Sequence, residues 1–143
     1  MIKKIRDIYY ALWADAINYE RLKNGGGEHW KVFTFSHMSI ILSLNIATLY
    51  SIILLITNRK ITEFVHKLAL QWTSSEIVAK FIWATVVLFI PSMIITYFLV
   101  FYKGNYQYIL DNYNFKNGRY LLIYYVLTFV LLIAFSLLNK FFR

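Results

Sequence analysis

Three windows of the sequence carry no charged side chain, and each is long enough to cross a bilayer. They are residues 32–58 (27 residues), 81–102 (22) and 120–139 (20), all dominated by Ile, Leu, Val, Phe and Tyr. A helix rises about 1.5 Å per residue and a hydrocarbon core is about 30 Å thick, so roughly 20 apolar residues span it once. A soluble chain of 143 residues could not bury three such helices in one core. Every Lys, Arg, Asp and Glu lies outside the windows, which is how a membrane protein partitions charge. The sequence predicts an all-α integral membrane protein in one domain. It has three transmembrane helices, an N-terminal amphipathic helix and a short interfacial helix.

The net charge of +8 raises the question of nucleic acid. The basic residues sit at helix ends and in juxtamembrane segments, where Lys and Arg meet anionic headgroups. No basic stripe with interleaved aromatics lies on a soluble element, which argues against nucleic acid. Cysteine is absent, so no disulfide or thiol chemistry is available.

Residues 1–23 read as a helix and not as a signal peptide, because Asp7, Asp15 and Glu20 interrupt any apolar run. Ile2, Ile5, Ile8 or Tyr9, Leu12, Ala16 and Tyr19 recur at steps of three and four, opposite Lys3, Lys4, Arg6, Asp7, Asp15, Asn18 and Arg21. This pattern predicts a helix lying flat on the cytoplasmic surface, with Arg6 and Asp15 reachable from that side. Packing of the apolar face on the protein's own spans, or on those of a partner, is compatible with it. Residues 24–31 form a Gly hinge and an interfacial collar. Asn24-Gly25-Gly26-Gly27 ends the helix, and without GxxxxGK[ST] it does not resemble a phosphate loop. The first span is 32–58.

In the connector 59–73, Ile61, Phe64, Val65, Leu68 and Trp72 share one helical face, away from Glu63, His66, Lys67 and Gln71. Thr73 and Glu76 have the spacing of a capping box, so the second span is expected over 74–102, with a kink at Pro91. A Tyr-rich connector follows over 103–119 and should hug the headgroup layer. Asn117-Gly118 signals a turn, and the third span is 120–139. Nine Lys and Arg lie on the N-terminal side of the membrane against six on the other, reduced to six each if the distant Lys3, Lys4 and Arg6 are discounted. The basic N-terminal helix tips the balance to N-terminus in and C-terminus out.

Chemistry-bearing patterns are sparse. His29 and His37, eight residues apart, are separated by about 12 Å along a helix, too far to share a metal. His66 and Glu63 read as a solvated pair. Haem ligation would need histidines inside the spans, and only His37 comes near. There is no Ser-His-Asp or Cys-His pattern and no acidic cluster for Mg²⁺. The expectation is no enzyme activity, no metal and no cofactor. The spans also lack the deep ionisable groups on which proton relays, coupled transporters and voltage sensors depend.

Polar residues inside the spans remain. Ser39, Ser43, Ala47 and Ser51 recur every four residues as a stripe on which another helix can pack closely. Asn45 and Thr48 lie on a different face, and Thr96 and Thr128 supply hydroxyls on the other spans. Asn45 is expected to bond to Thr96, Thr128 or a carbonyl freed near Pro91, while the stripe meets a partner chain. By elimination these features suggest a non-catalytic small subunit or scaffold of a larger inner-membrane assembly, bacterial in type, in contact with membrane lipids and a protein partner. The alternative is a small effector or channel that homo-oligomerises into a pore near Asn45, Ser43 and Thr48. A lipid-modifying enzyme is a distant third.

Overall fold

The computed structural model describes residues 2–27, 29–56, 67, 71, 73 and 75–141, and these are all-helical. Helix α1 is Ile2–Lys23, α2 is Trp30–Ile56, α3 is Glu76–Trp83, α4 is Ile90–Thr96, α5 is Asn105–Asn112 and α6 is Arg119–Phe141. Between α3 and α4, Ala84–Phe89 forms widened π turns, as does Tyr97–Phe101 after α4. Three stretches, Trp30–Ile56, Glu76–Asn112 and Arg119–Phe141, are long and apolar enough to cross a membrane. They fit an integral membrane protein. The predicted interfacial helix, with its face of Ile61, Phe64, Val65, Leu68 and Trp72, falls outside the described residues. Lys67 and Gln71 are exposed.

Local chemistry explains the element boundaries. Helix α1 stops at Lys23 in a Schellman arrangement: the Gly26 amide donates to the Arg21 carbonyl (2.8 Å) and the Gly25 amide to that of Leu22 (3.3 Å). Both glycines have positive φ, 62° and 79°, which a residue with a Cβ rarely adopts. Among the described residues the helix start differs from the expected capping box at Thr73. Ser75 is the N-cap of α3, the Thr73 hydroxyl accepts from the Ser75 amide (3.2 Å), and Glu76 pairs with Lys80 (2.6 Å). The Thr73 hydroxyl thus stabilises the turn before the helix, not its first turn.

Pro91 acts through a widened turn. Proline has no amide hydrogen and its ring collides with the carbonyl four residues back. The π turns of Ala84–Phe89 precede it directly, with the Ile90 amide donating to the Thr85 carbonyl five residues earlier. The second span itself ends where the backbone reverses hand. Tyr102 is extended (ψ 132°), and Lys103 and Gly104 have φ of 54° and 72°. The Tyr-rich connector then contains helix α5.

The chain divides into two compact units, residues 1–39 with 93–127 and residues 40–92 with 128–143. In the first, the core is Leu12, Trp13, Ala14, Ala16, Ile17, Trp30, Met38, Val100, Ile109 and Leu121. Aromatic edges tie it together: Trp13 on Phe101 (6.2 Å between centroids), Trp30 on Tyr106 (5.5 Å) and Tyr10 on Tyr113 (5.7 Å). Lys31 stands 5.4 Å from the Tyr106 ring and Arg21 5.8 Å from Trp30, both within cation–π range. In the second unit Tyr50 packs on Trp83 (4.8 Å) and the Asn139 side chain donates to the Ser51 carbonyl (2.8 Å).

Helix α1 departs from its predicted orientation. The six residues from Leu12 to Ile17 are all buried, Asp15 completely, whereas Ile5 and Ile8 on the apolar stripe are 62 % and 71 % exposed. Asp15 is therefore not on a solvent face beside Arg6, which is exposed. The middle of α1 is enclosed on every side because a distant stretch of backbone needs the Asp15 carboxylate.

Candidate functional site

Polar side chains gather on the buried side of α1, all within the first unit. The loop before α6 turns through two left-handed residues, Asn117 (φ 56°) and Gly118 (φ 74°). Gly118, directly before α6, has no side chain to act as an N-cap, and the first turn of a helix always leaves amide donors without an internal partner. Asp15 supplies the acceptor. Its Oδ1 accepts from the amides of Lys116 (2.8 Å) and Gly118 (3.0 Å), and its Oδ2 from those of Tyr120 (2.9 Å) and Leu121 (3.3 Å). Charge-assisted bonds to four amides, at the positive end of a helix dipole, replace the water that burial removes. Each oxygen accepts two of these bonds, so Asp15 ties the start of α6 to α1. A Cβ at Gly118 would also lie 3.2 Å from the Tyr19 ring, a tight contact in which the ring would have to give by a few tenths of an ångström.

One turn and more along α1, Glu20 is buried as well. Its Oε2 accepts from the Asn24 amide group (3.1 Å), and its Oε1 is 3.8 Å from Nδ1 of His37 on α2. The His37 ring meets Tyr125 of α6 edge-on, with centroids 6.1 Å apart. Glu20 and His37 can form an ion pair when the imidazole is protonated. Among the described residues no third His, Asp or Glu completes a metal-binding set. Near the start of α1, Asp7 accepts a bond from the Tyr113 hydroxyl (3.0 Å), tying α1 to the end of α5. Burial pushes the Tyr9 phenol above its ordinary pKa.

The residues singled out from the sequence divide between the two units. Ser39 and Thr96 belong to the first and are fully buried, their hydroxyls without a partner among the described residues, as is that of Thr34. Ser43, Ala47, Ser51, Asn45, Thr48 and Thr128 belong to the second. There Thr128 donates to the Asn45 side-chain oxygen (3.2 Å), and the Asn45 nitrogen donates to the Ile41 carbonyl (3.3 Å). Thr48 is buried and bonds the Leu44 carbonyl, while Ser43 bonds that of Ile40 (2.7 Å). The stripe is thus closed at Ser39 and engaged at the Ser51 carbonyl, and half-open at Ser43 and Ala47.

Helical periodicity missed Asp15 and Glu20 because it assigns every charge to the outer face. Two features fit the role of Asp15 in hindsight, though neither singles it out in the sequence. It is an acid set between alanines, Ala14 and Ala16, where backbone can approach closely, and α6 has no N-cap of its own. Compared with protein-family models, with curated proteins and with solved structures, the chain finds no match.

Proposed function

We propose that the protein is a non-catalytic subunit or scaffold of a larger membrane assembly, of the bacterial inner-membrane type, acting through helix–helix packing. The observation that carries this reading is the half-open middle of the small-residue stripe. Ser43 and Ala47 are only partly covered by the described residues and leave a shallow seat on α2, and Ser43 is already satisfied by the Ile40 carbonyl. A partner helix can settle there by close backbone approach without leaving a polar group unpaired. The apolar surface supports the same reading: only 17 %, 17 % and 11 % of the most apolar stretches of the three spans are buried within the chain. In this reading the N-terminus is cytoplasmic. Lys3, Lys4 and Arg6, all exposed, face the anionic leaflet beside Ile5 and Ile8.

Sizing of the detergent-solubilised protein by native mass tests it. A heteromeric complex that Ser43→Ile dissolves, with the chain still inserted in the membrane, is the expected result. A symmetric homo-oligomer accompanied by ion leak would replace the scaffold with a pore.

A further inference from the structure

The backbone break that ends the second span opens a groove. Between the left-handed residues Lys103 and Gly104 and helix α5 lies an open surface groove of about 640 Å³. Its apolar walls are Phe98, Tyr102 and Tyr108, and its polar lining includes Lys103, Gln107 and Asp111. Lysine is an unusual occupant of the left-handed region, where Gly or Asn is favoured, so the charge at this point costs backbone strain.

Lys103 and Asp111 carry opposite charges in one groove, yet among the described residues neither has an ion-pair partner. Lys103 precedes α5 at the backbone break, and Asp111 lies in the last turn of α5, a rise of about 9 Å from its first residue, Asn105. Both are exposed and extend on flexible side chains, Lys103 lying 5.3 Å from the Tyr102 ring. A groove with a cation at one end and a carboxylate towards the other complements a zwitterion and suits neither a simple anion nor a simple cation. The tyrosine rings belong to the headgroup layer by preference. Phe98 is 58 % exposed, and Ile94 and Ile95, about one turn back on the same span, are exposed too. A ligand with its polar head in the groove therefore has an apolar track for a tail, which a free phosphate compound would leave uncovered.

We propose that this groove binds a phospholipid with a primary-ammonium headgroup, of the phosphatidylethanolamine class, its phosphate at Lys103 and its ammonium at Asp111. A primary ammonium donates hydrogen bonds to a carboxylate. The quaternary ammonium of a choline lipid has no N–H to donate, and a phosphatidylglycerol headgroup brings no cation to Asp111. The site is independent of the assembly role above.

The test exchanges the full-length protein in detergent against an equimolar mixture of phosphatidylethanolamine, phosphatidylcholine and phosphatidylglycerol with identical acyl chains. Retained lipids are counted by native mass spectrometry. Phosphatidylethanolamine should be retained over each of the others by roughly fivefold or more, the scale of one good polar contact. Asp111→Asn should erase the preference over phosphatidylcholine while lipid is still retained. Lys103→Asn keeps a residue that tolerates the left-handed backbone, and it should lower retention of both lipids together. Lys140→Gln, near the end of α6, should change nothing. Equal retention of the three lipids, a lead for phosphatidylglycerol, or an unaltered preference in Asp111→Asn would overturn the proposal. So would displacement of the lipid by soluble glycerophosphoethanolamine at equal concentration, which would assign the groove to a free headgroup compound. Should either variant aggregate, the wild-type ranking alone decides.

Discussion

A helix beginning at Arg119 satisfies the Arg119 amide locally, on the Lys116 carbonyl, but the amides of Gly118, Tyr120 and Leu121 find no acceptor in the flanking residues. Asp15 takes these donors from across the first unit, which makes a single carboxylate responsible for both the start of α6 and the seat of α1. Asp15→Ala should cost about 3 kcal/mol, combining a lost cap with buried amides left unpaired. Asp15→Asn keeps one acceptor oxygen and should cost roughly half of that. Thermal unfolding in detergent, followed by helical ellipticity, measures both, and a wild-type melting curve for Asp15→Ala would refute the cap. Asn45 contrasts with Asp15. Its bond to Thr128 is worth about 0.6–2 kcal/mol in a membrane, and leucine is at home in lipid, so Asn45→Leu should be mild by the same measurement.

At the scale of elements, two backbone features have identifiable causes. Pro91 withholds an amide from the preceding turn, and Ala84–Phe89 widens to i→i+5 bonding directly before it. In Pro91→Ala the restored amide should let residues 84–90 return to regular α-helical bonding. Backbone chemical shifts and amide exchange over that stretch would show the change, and persistence of the wide turn would acquit the proline. The turn into α6 is the second case. Gly118 combines a φ of 74° with a close approach to Tyr19, so Gly118→Ala adds left-handed strain to a contact that must give. The expected cost is about 1–2 kcal/mol. Combining it with Tyr19→Ala should relieve the contact and leave the strain.

At the scale of the whole molecule, labelling of introduced cysteines distinguishes a helix lying loose on a surface from one inserted in the protein. The natural sequence has no cysteine, so the background is clean. Arg6→Cys should react with a membrane-impermeant thiol reagent from the cytoplasmic face, because Arg6 is exposed. Ala14→Cys, at a position with no exposure, should stay unlabelled from either face until the protein is denatured. Labelling of Arg6→Cys from the outside alone would reverse the proposed orientation. Ready labelling of position 14 from either face would mean that α1 detaches.

The three spans were legible because length and the absence of charge are one-dimensional properties, and the bilayer imposes them on every helix that crosses it. The glycine stop after α1 and the turn at Asn117-Gly118 were legible for a similar reason: a positive φ selects its residue locally. The burial of Asp15 was not, because its partners are backbone amides about a hundred residues away, and any sequence presents an amide at those positions. Nor did helical spacing separate Ser39, closed inside its unit, from Ser43, one turn on and half-open, since the stripe they share says nothing of which neighbour arrives. Hydrophobic partition against lipid follows from the residues themselves. The choice of which polar group meets which backbone follows only when the chain has folded back on itself.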